Sequence, residues 1–371
     1  MKENEARSEK AEVRMQNAED DRNEAIQENR VIHAWAKHFS RSHDQVNKTY
    51  ESDAELVAHP AFPGHFLAIT IDTVAEEISQ GLYLEPETVG WVTVMASLSD
   101  LAAVGAEPLG LVVSASVPAE KPEAEINRIA SGMEQACVEA GVHILGGDVN
   151  STKETSFSAC SVGLVPRQRK LTRMGCLPGD IVYATGPLGI GNALGLVRLA
   201  GLPDVLFPET SYRPEARIPE GEFIAGYARS CMDSSDGLVA TLDTMARLNG
   251  VGFAVECDWQ KLLAPEVLRL CEATKTPKWL MTAGPHGEFE LIFAVPPDHE
   301  AGYMAAARKH GFAPVRLGRV QERQALTYHL GSGVAKDVDG AFLRNLLSEV
   351  GGDMKRYLQE FFAYGKRLGL D

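Results

Sequence analysis

Five short segments of the chain each place an aspartate beside serine, glycine or threonine at the end of an apolar stretch. The five residues are Asp53, Asp72, Asp100, Asp148 and Asp236. One such aspartate alone is more commonly a turn or helix cap. Together they supply the carboxylate oxygens that Mg²⁺ uses as ligands, and Mg²⁺ in turn lets an acidic protein hold a polyphosphate. The pattern predicts Mg²⁺-dependent ATP chemistry.

A glycine-rich turn offers a second possible phosphate contact. The segment GPLGIGNALG, residues 186–195, follows a predicted strand and opens a predicted helix, so its backbone N–H groups could face a phosphate. Its spacing is GxGxxxG rather than the GxGxxG of dinucleotide-binding folds, and the chain contains no GxxxxGKS/T, which excludes a P-loop. A tight strand-to-helix turn and a supporting role in an ATP site both stay open.

Charge and composition exclude several classes of protein. The 371 residues include 36 Lys and Arg against 51 Asp and Glu, a net charge of −15. Nucleic acid and anionic membranes repel a chain this acidic, so we expect neither partner. The chain has no apolar run of the roughly 20 residues that a membrane span needs. Its charged N-terminus is unlike a signal peptide, and its six cysteines, without a CxxC pair, predict reduced thiols in a cytoplasmic protein.

The predicted elements divide the chain into four parts. Residues 1–30 form a charged extension, helical or disordered. Two domains are predicted over 31–168 and 169–345, separated by the polar hinge PRQRK at 166–170, and a helical tail is predicted over 346–371. Strands and helices interleave in both domains, which indicates an α/β (α+β) fold of two domains.

Hydrophobic patterning predicts the elements that must position the first four aspartates. The predicted strands are His65–Asp72, Leu109–Val117, Val142–Leu145 and Phe157–Val165. The predicted helices are Glu87–Val104, which ends at Gly105, and Lys121–Ala140, which ends at Gly141. We therefore expect each aspartate to lie where a strand or a turn ends.

The order of these segments resembles that of the thiamine-monophosphate kinase family. The matching segments, in chain order, are SLSDLAAVGAEP (97–108), LGGDVNST (145–152), RMGCLPGDIVYATGPLG (173–189), YRPEARIPEG (212–221) and MDSSDGL (232–238). The resemblance covers roughly residues 31–330. It implies a two-domain fold like that of aminoimidazole ribonucleotide synthetase, with an N-terminal mixed sheet that dimerises and a C-terminal α+β domain.

The resemblance also implies an activity and a set of site residues. The activity is transfer of a phosphoryl group from ATP to thiamine monophosphate, a small-molecule acceptor, by a homodimer. The implied Mg²⁺ ligands are Asp53, Asp72, Asp100, Asp148 and Asp236, of which Asp100 and Asp236 are the catalytic residues. The implied nucleotide-binding residues are Gly146, Gly147, Asp148, Asp233 and Ser235.

Several positions depart from the family pattern, and several of these lie on the acceptor side of the implied site. Ser52-Asp53-Ala54 replaces a GDD, so one acid is missing. Ser79 and Gln80 replace a His-Phe pair, and Glu288 replaces an aspartate. Two alternatives therefore stay open: a related enzyme that phosphorylates an amide or carboxylate of another acceptor, and a non-catalytic dimeric binding protein. His286, two residues before Glu288, is either a polar cap or an acceptor contact.

Overall fold

Two β-sheets organise the computed structural model, which describes residues 24–331 and 333–370. The first sheet consists of β1 (Glu55–Ala58), β2 (His65–Thr73), β3 (Glu107–Val117), β4 (Ile144–Ser151) and β5 (Ser156–Pro166). Its strand order is β1-β2-β5-β3-β4, and all neighbours are antiparallel except β3 and β4.

The second sheet contains the remaining strands. They are β6 (Ile181–Ala184), β7 (Ser230–Asp233), β8 (Gly252–Glu256), β9 (Leu291–Val295), β10 (Val315–Gln321), β11 (Leu326–His329) and β12 (Ala335–Val338). Their order is β12-β11-β8-β10-β6-β9-β7, with β8 and β11 parallel and the other neighbours antiparallel. Two sheets with interleaved helices confirm the predicted α/β (α+β) class.

Helices connect the strands and flank both sheets. They are α1 (Gln27–Ala36), α2 (Ala75–Ser79), α3 (Pro86–Ala103), α4 (Glu123–Ala140), α5 (Ile190–Leu199), α6 (Ile218–Ile224), α7 (Gly237–Asn249), α8 (Trp259–Leu262), α9 (Pro265–Thr274), α10 (Leu280–Ala283), α11 (Pro297–His310), α12 (Gly340–Glu349) and α13 (Met354–Leu368). A short 3₁₀ helix, Arg167–Arg169, lies at the predicted hinge. None of the described helices combines the length and the apolar character that crossing a membrane requires.

Helix α3 joins the two sheets, which brings Asp100 near the second one. It begins with Pro86, whose fixed φ suits a first turn, and it is followed by Gly105 with a φ of +71°. It packs on β2 and β5 of the first sheet and on β7 of the second. It also crosses α4 closely, because a Cβ added at Gly90 would lie 1.9 Å from the Ile129 carbonyl oxygen.

Strand β4 is longer than the predicted strand Val142–Leu145. It runs from Ile144 to Ser151, because the backbone of Gly146–Ser151 pairs in parallel with that of Val112–Val117 on β3. The glycines permit this pairing: a Cβ at Gly147 would lie 2.1 Å from the Val113 carbonyl oxygen. The GGD segment therefore belongs to an edge strand.

Both ends of the described chain pack onto the second domain. The tail consists of two helices rather than one, since Gly351 and Gly352 break it with φ values of +68° and +77°. Of the predicted extension, residues 1–23 lie outside the described residues, whereas α1 docks on α12. Asn345 accepts a hydrogen bond from the Gln27 N–H (3.0 Å) and donates one to the Ala25 carbonyl (2.8 Å).

Candidate functional site

Three aspartates from distant parts of the chain meet at the junction of the two sheets. Asp53 precedes β1, Asp100 lies in the last turn of α3, and Asp233 ends β7. Each contributes a carboxylate oxygen to a group whose atoms all lie within 4.8 Å of one another. The negative end of the helix dipole lies at the C-terminus of α3, where a carboxylate is destabilising. Asp100 therefore does not stabilise α3 at this position.

Neighbouring side chains orient these carboxylates. Thr70, on β2, donates to Oδ2 of Asp100 at 2.5 Å. Ser99 donates to Oδ2 of Asp233 at 2.7 Å, and the Ser235 hydroxyl donates to its Oδ1 at 3.0 Å. Because hydroxyl groups hold these two carboxylates, their positions are set before any ligand binds.

Arg173 is the positive charge that contacts this cluster. Its Nη2 lies 3.0 Å from Oδ1 of Asp53, whose side chain is fully buried. The other oxygen, Oδ2, is buried without a hydrogen-bond partner among the described residues. Three close carboxylates with one guanidinium leave a net negative charge, and an unpartnered buried carboxylate oxygen is costly. The donor set therefore fits a hard divalent cation.

The electrostatics of the cluster support the same conclusion. Burial raises the pKa of Asp100 well above its usual range, and the negative charges of Asp233 and Asp72 raise it further. Burial likewise raises the pKa of Asp233, with Asp53 adding to the effect. Without a cation these groups resist ionisation, and a bound divalent cation would stabilise their anionic forms.

Asp72 and Asp236 lie beside this cluster. Asp72 shares a face of β2 with Thr70, and its pKa is raised mainly by burial and also by Asp236. Asp236 precedes the first residue of α7; its side chain is solvent-accessible, and partial desolvation by the surrounding protein, followed by the charge of Glu28, raises its pKa. The structure thus places four of the five predicted Mg²⁺ ligands in one region, together with Asp233 and Ser235.

Asp148 lies apart from the other four. It is on β4, in the row of the sheet that runs Thr73, Ser158, Ser114, Asp148. Three strand spacings separate β4 from β2, about 14 Å. The Asp148 side chain is exposed and accepts a hydrogen bond from Asn150 at 2.7 Å. Within one chain, Asp148 and its neighbours Gly146 and Gly147 are not brought to the aspartate cluster.

The glycine-rich turn already has a partner inside the protein. Oε2 of Glu288 accepts a hydrogen bond from the Gly189 N–H at 2.7 Å, and the Gly191 N–H also stabilises its anion. Burial nevertheless raises the pKa of Glu288 to about 8. Because a side chain occupies these N–H groups, the geometry favours the tight-turn interpretation over a phosphate contact.

Sequence reasoning left several residues of this region without a role. Arg173 and Ser99 lie inside segments that it singled out, RMGC and SLSD, but neither was assigned a function. Thr70 is two residues before Asp72, a spacing that places both side chains on one face of a strand. That alternation was the available signal for Thr70, whereas the contact between Arg173 and Asp53 spans 120 residues and no local pattern predicts it.

A cavity of about 610 Å³ adjoins Asp236. Its walls come from α1, α2, α5, α7, α10, α12 and α13, and most of the side chains that line it are apolar. His286 is part of the wall and packs against Tyr212, with ring centroids 5.0 Å apart. Burial lowers the pKa of His286 to about 4, so its imidazole is neutral near pH 7.

The raised pKa values predict how pH affects the metal-free protein. In the unfolded chain these aspartates titrate near pH 4, whereas in the folded protein Asp100 and Asp233 hold their protons to higher pH. The folded state then binds more protons than the unfolded state, so stability falls as pH rises through the raised values. We expect the melting temperature in EDTA to drop by several degrees between about pH 5 and about pH 8.

Added Mg²⁺ should reverse this loss of stability. The cation favours the ionised carboxylates, so its stabilising effect should be larger at the higher pH. Thermal unfolding with Mg²⁺, compared with K⁺ at matched ionic strength, separates specific binding from screening. Equal effects of the two cations would contradict a metal site at Asp53, Asp100 and Asp233.

Comparison with known proteins places this geometry in a family. Residues 52–165 match the family described as AIR synthase related protein, N-terminal domain, and residues 178–331 match its C-terminal domain. The chain is similar to thiamine-monophosphate kinase of Pyrococcus horikoshii, with 31% identity over 303 residues that span 81% of this chain and 90% of the relative.

Solved structures share the fold. The crystal structure of tt0281 from Thermus thermophilus has 29% identity and a TM-score of 0.66, covering 75% of this chain and 88% of that one. A structure described as AaThiL complexed with AMPPCP and TMP has 23% identity and a TM-score of 0.67, covering 82% and 94%. These matches confirm the resemblance predicted from the order of the sequence segments, and the chain belongs to the thiamine-monophosphate kinase family of AIR synthase related proteins.

Proposed function

We propose that the protein transfers a phosphoryl group from ATP to thiamine monophosphate in a Mg²⁺-dependent reaction. The relatives support this activity by name, and AaThiL, a structural neighbour, has been described with AMPPCP and TMP. The observation that carries the proposal is the cluster of Asp53, Asp100 and Asp233, with Asp72 and Asp236 beside it. Such a group of acids suits the cations that accompany a polyphosphate.

In this mechanism Asp53, Asp100 and Asp233 would hold the cation, and Asp72 and Asp236 would extend the acidic surface toward the cavity. Bound Mg²⁺ would neutralise charge on the transferring phosphoryl group. Thr70, Ser99 and Ser235 keep the carboxylates in place through hydroxyl hydrogen bonds. Such fixed groups need no reorganisation when charge develops in the transition state.

The phosphate of the acceptor is itself a nucleophile, which reduces the number of catalytic groups that the protein has to supply. A phosphate monoester has a second pKa of about 6, so its oxygen is already ionised near neutral pH. No general base is then required, and catalysis depends on alignment and on charge neutralisation. The assignment of Gly146, Gly147, Asp148, Asp233 and Ser235 to the nucleotide, and a cytoplasmic location, stay predictions.

Release of ADP tests the activity directly. The purified chain is incubated with ATP and Mg²⁺, with and without thiamine monophosphate, and the products are separated by chromatography. We expect ADP release that depends on the acceptor and yields thiamine diphosphate, and its loss in EDTA. Intact Mg²⁺–ATP binding without any stimulation by thiamine monophosphate would contradict the proposed acceptor and favour a related enzyme that acts on another one.

We also propose that the protein is a homodimer formed through the first sheet. Ile71 and Val112 lie in one row of that sheet, on either side of Cys160, and their side chains are 69% and 43% exposed. Edge strand β4 is exposed along its whole length. Apolar side chains on an open sheet face are typical of a contact surface, and a second copy would cover them.

A charge on this face should separate the subunits. Val112→Asp is expected to give a monomer in analytical ultracentrifugation where the unchanged chain is a dimer, because burying the new carboxylate is costly. Val138→Asp, at an exposed position on α4, is the matched control and should leave the dimer intact. A monomeric parent chain, or a dimeric Val112→Asp variant, would argue against this interface.

A further inference from the structure

The cavity beside Asp236 is built partly by segments outside the two family domains. The family matches cover residues 52–165 and 178–331. Helices α1, α12 and α13 lie outside both ranges, yet all three line the cavity. Three helices outside the matched family domains therefore shape the cavity next to the aspartate cluster.

Specific contacts hold α1 in place as a wall. Asn345, on α12, bonds to the backbone of both Gln27 and Ala25. Ile26 is 2% exposed, and Tyr50 donates a hydrogen bond to the Asn29 carbonyl at 2.7 Å. These hydrogen bonds and the buried Ile26 side chain fix α1 against the rest of the protein. Helix α1 therefore closes one side of the cavity.

The charge balance of the wall is negative. Glu28, Glu76, Glu77 and Asp236 line the cavity, and the positive side chain among the lining residues is Arg344. Arg344 contacts Thr244 at 2.9 Å and Asp243 at 3.4 Å, and it pairs with Glu28 of the wall at 3.9 Å, which leaves Glu76, Glu77 and Asp236 as the excess acids. The cavity therefore combines an apolar body with excess negative charge, which suits an organic cation.

Glu77 is the acid of this wall best placed to contact a ligand. Its Oε2 is buried and has no hydrogen-bond partner among the described residues. By contrast, Glu76 accepts a hydrogen bond from Gln80 at 2.7 Å. Burial, with a contribution from the negative charge of Asp72, raises the pKa of Glu77 to about 7, so its anion is disfavoured at this position. An unpartnered buried carboxylate has a cost that a bound positive group would offset.

We propose that this cavity binds the phosphoryl acceptor and that Glu77 contacts a positively charged group on it. This assignment rests on the proposed function. It adds that Glu77 contacts the cationic part of the acceptor and that α1 forms one wall of the acceptor site. Thiamine monophosphate fits this class, since its positively charged thiazolium ring is joined by a methylene group to an aromatic aminopyrimidine. Its phosphate would then face Asp236 and the cation held by the aspartate cluster.

Calorimetry on the full chain tests the assignment. Binding of thiamine monophosphate, and of thiamine as a cation without phosphate, is measured in the presence of Mg²⁺ and AMPPCP. We expect Glu77→Gln to weaken both by roughly 10- to 100-fold, the range of a charge-assisted contact. Glu77→Asp should restore part of the affinity, and affinity for AMPPCP should change by less than about twofold. Glu134→Gln, on the exposed side of α4, is the charge-matched control and should bind both ligands like the parent chain.

Each outcome has a distinct meaning. Unchanged affinities in Glu77→Gln, or equal losses in Glu134→Gln, would overturn the role of Glu77. Failure of the parent chain to bind thiamine and thiamine monophosphate would overturn the cationic acceptor site altogether. If the parent chain binds both and loses them with Glu77→Gln, but releases no ADP with thiamine monophosphate, the cavity assignment holds and the proposed phosphoryl transfer is wrong.

Discussion

Asp100→Asn is expected to lower phosphoryl transfer by at least roughly 1,000-fold while the protein stays folded. Asp100 is the central group of the aspartate cluster, since the negative charges of Asp53, Asp72 and Asp233 all raise its pKa. An asparagine amide matches the shape of the carboxylate but cannot supply the anionic oxygen that a divalent cation needs. Asp236→Asn is also expected to lower turnover, because it removes a negative charge beside the cation site, where Asp236 acts on Asp72.

The effect of Asp100→Asn on folding should have the opposite sign to its effect on activity. The pKa of Asp100 is raised in the folded protein, so this carboxyl group lowers the stability of the metal-free protein near neutral pH. Removing that charge should leave the melting temperature in EDTA unchanged or higher, and should abolish most of the increase caused by Mg²⁺. Thermal unfolding and ADP release on the same sample measure both quantities.

A matched control separates the cluster from a general charge effect. Asp298→Asn removes a carboxylate from the exposed first turn of α11, and we expect parent-like turnover and Mg²⁺ response. An Asp100→Asn variant that kept more than about a tenth of the parent activity would be incompatible with a metal-holding role.

The second large effect is expected for Gly191→Ala, which should reduce the free energy of unfolding by about 3 kcal/mol or more. Gly191 lies in the first turn of α5, where the loop 286–287 approaches it closely. A Cβ there would lie 2.1 Å from the Gly287 carbonyl oxygen and 2.3 Å from that of His286. Since both atoms belong to the backbone, the loop itself has to move, which also displaces Glu288 from the N–H groups of the turn.

Gly195→Ala, one turn further along α5, is the control for this prediction. The nearest atom to its added Cβ would be Cβ of His286 at 4.0 Å, an ordinary contact. Replacing a helical glycine by alanine without a clash stabilises a protein by up to about 1 kcal/mol. Chemical denaturation should therefore show opposite signs for two identical substitutions in one helix. Similar losses in both variants would show that helix propensity or general packing, rather than the loop contact, decides the result.

Local patterns predicted the regular elements well. Helix α3 runs from Pro86 to Ala103 against a predicted Glu87–Val104, and β2 runs from His65 to Thr73 against a predicted His65–Asp72. Apolar periodicity, an N-terminal proline and a glycine after the last turn are local signals, so they can be read from neighbouring residues. Strand β4 was underestimated because its pairing with β3, not its own composition, makes the glycine-rich segment extended.

The chain's sequence by itself predicted the element types, the family and four of the aspartates at the candidate cation site, Asp53, Asp72, Asp100 and Asp236, since each prediction depends on residues close together in order. Only the tertiary structure decided which acids meet. It joined Asp53, Asp100 and Asp233 because α3 packs on both sheets, and it kept Asp148 three strands away from β2. It also gave Glu288 the N–H groups of the glycine-rich turn, and it left Oε2 of Glu77 without a hydrogen-bond partner, among the residues described, beside a cavity. Such outcomes depend on strand order and helix packing between residues far apart in the chain, which no local spacing encodes.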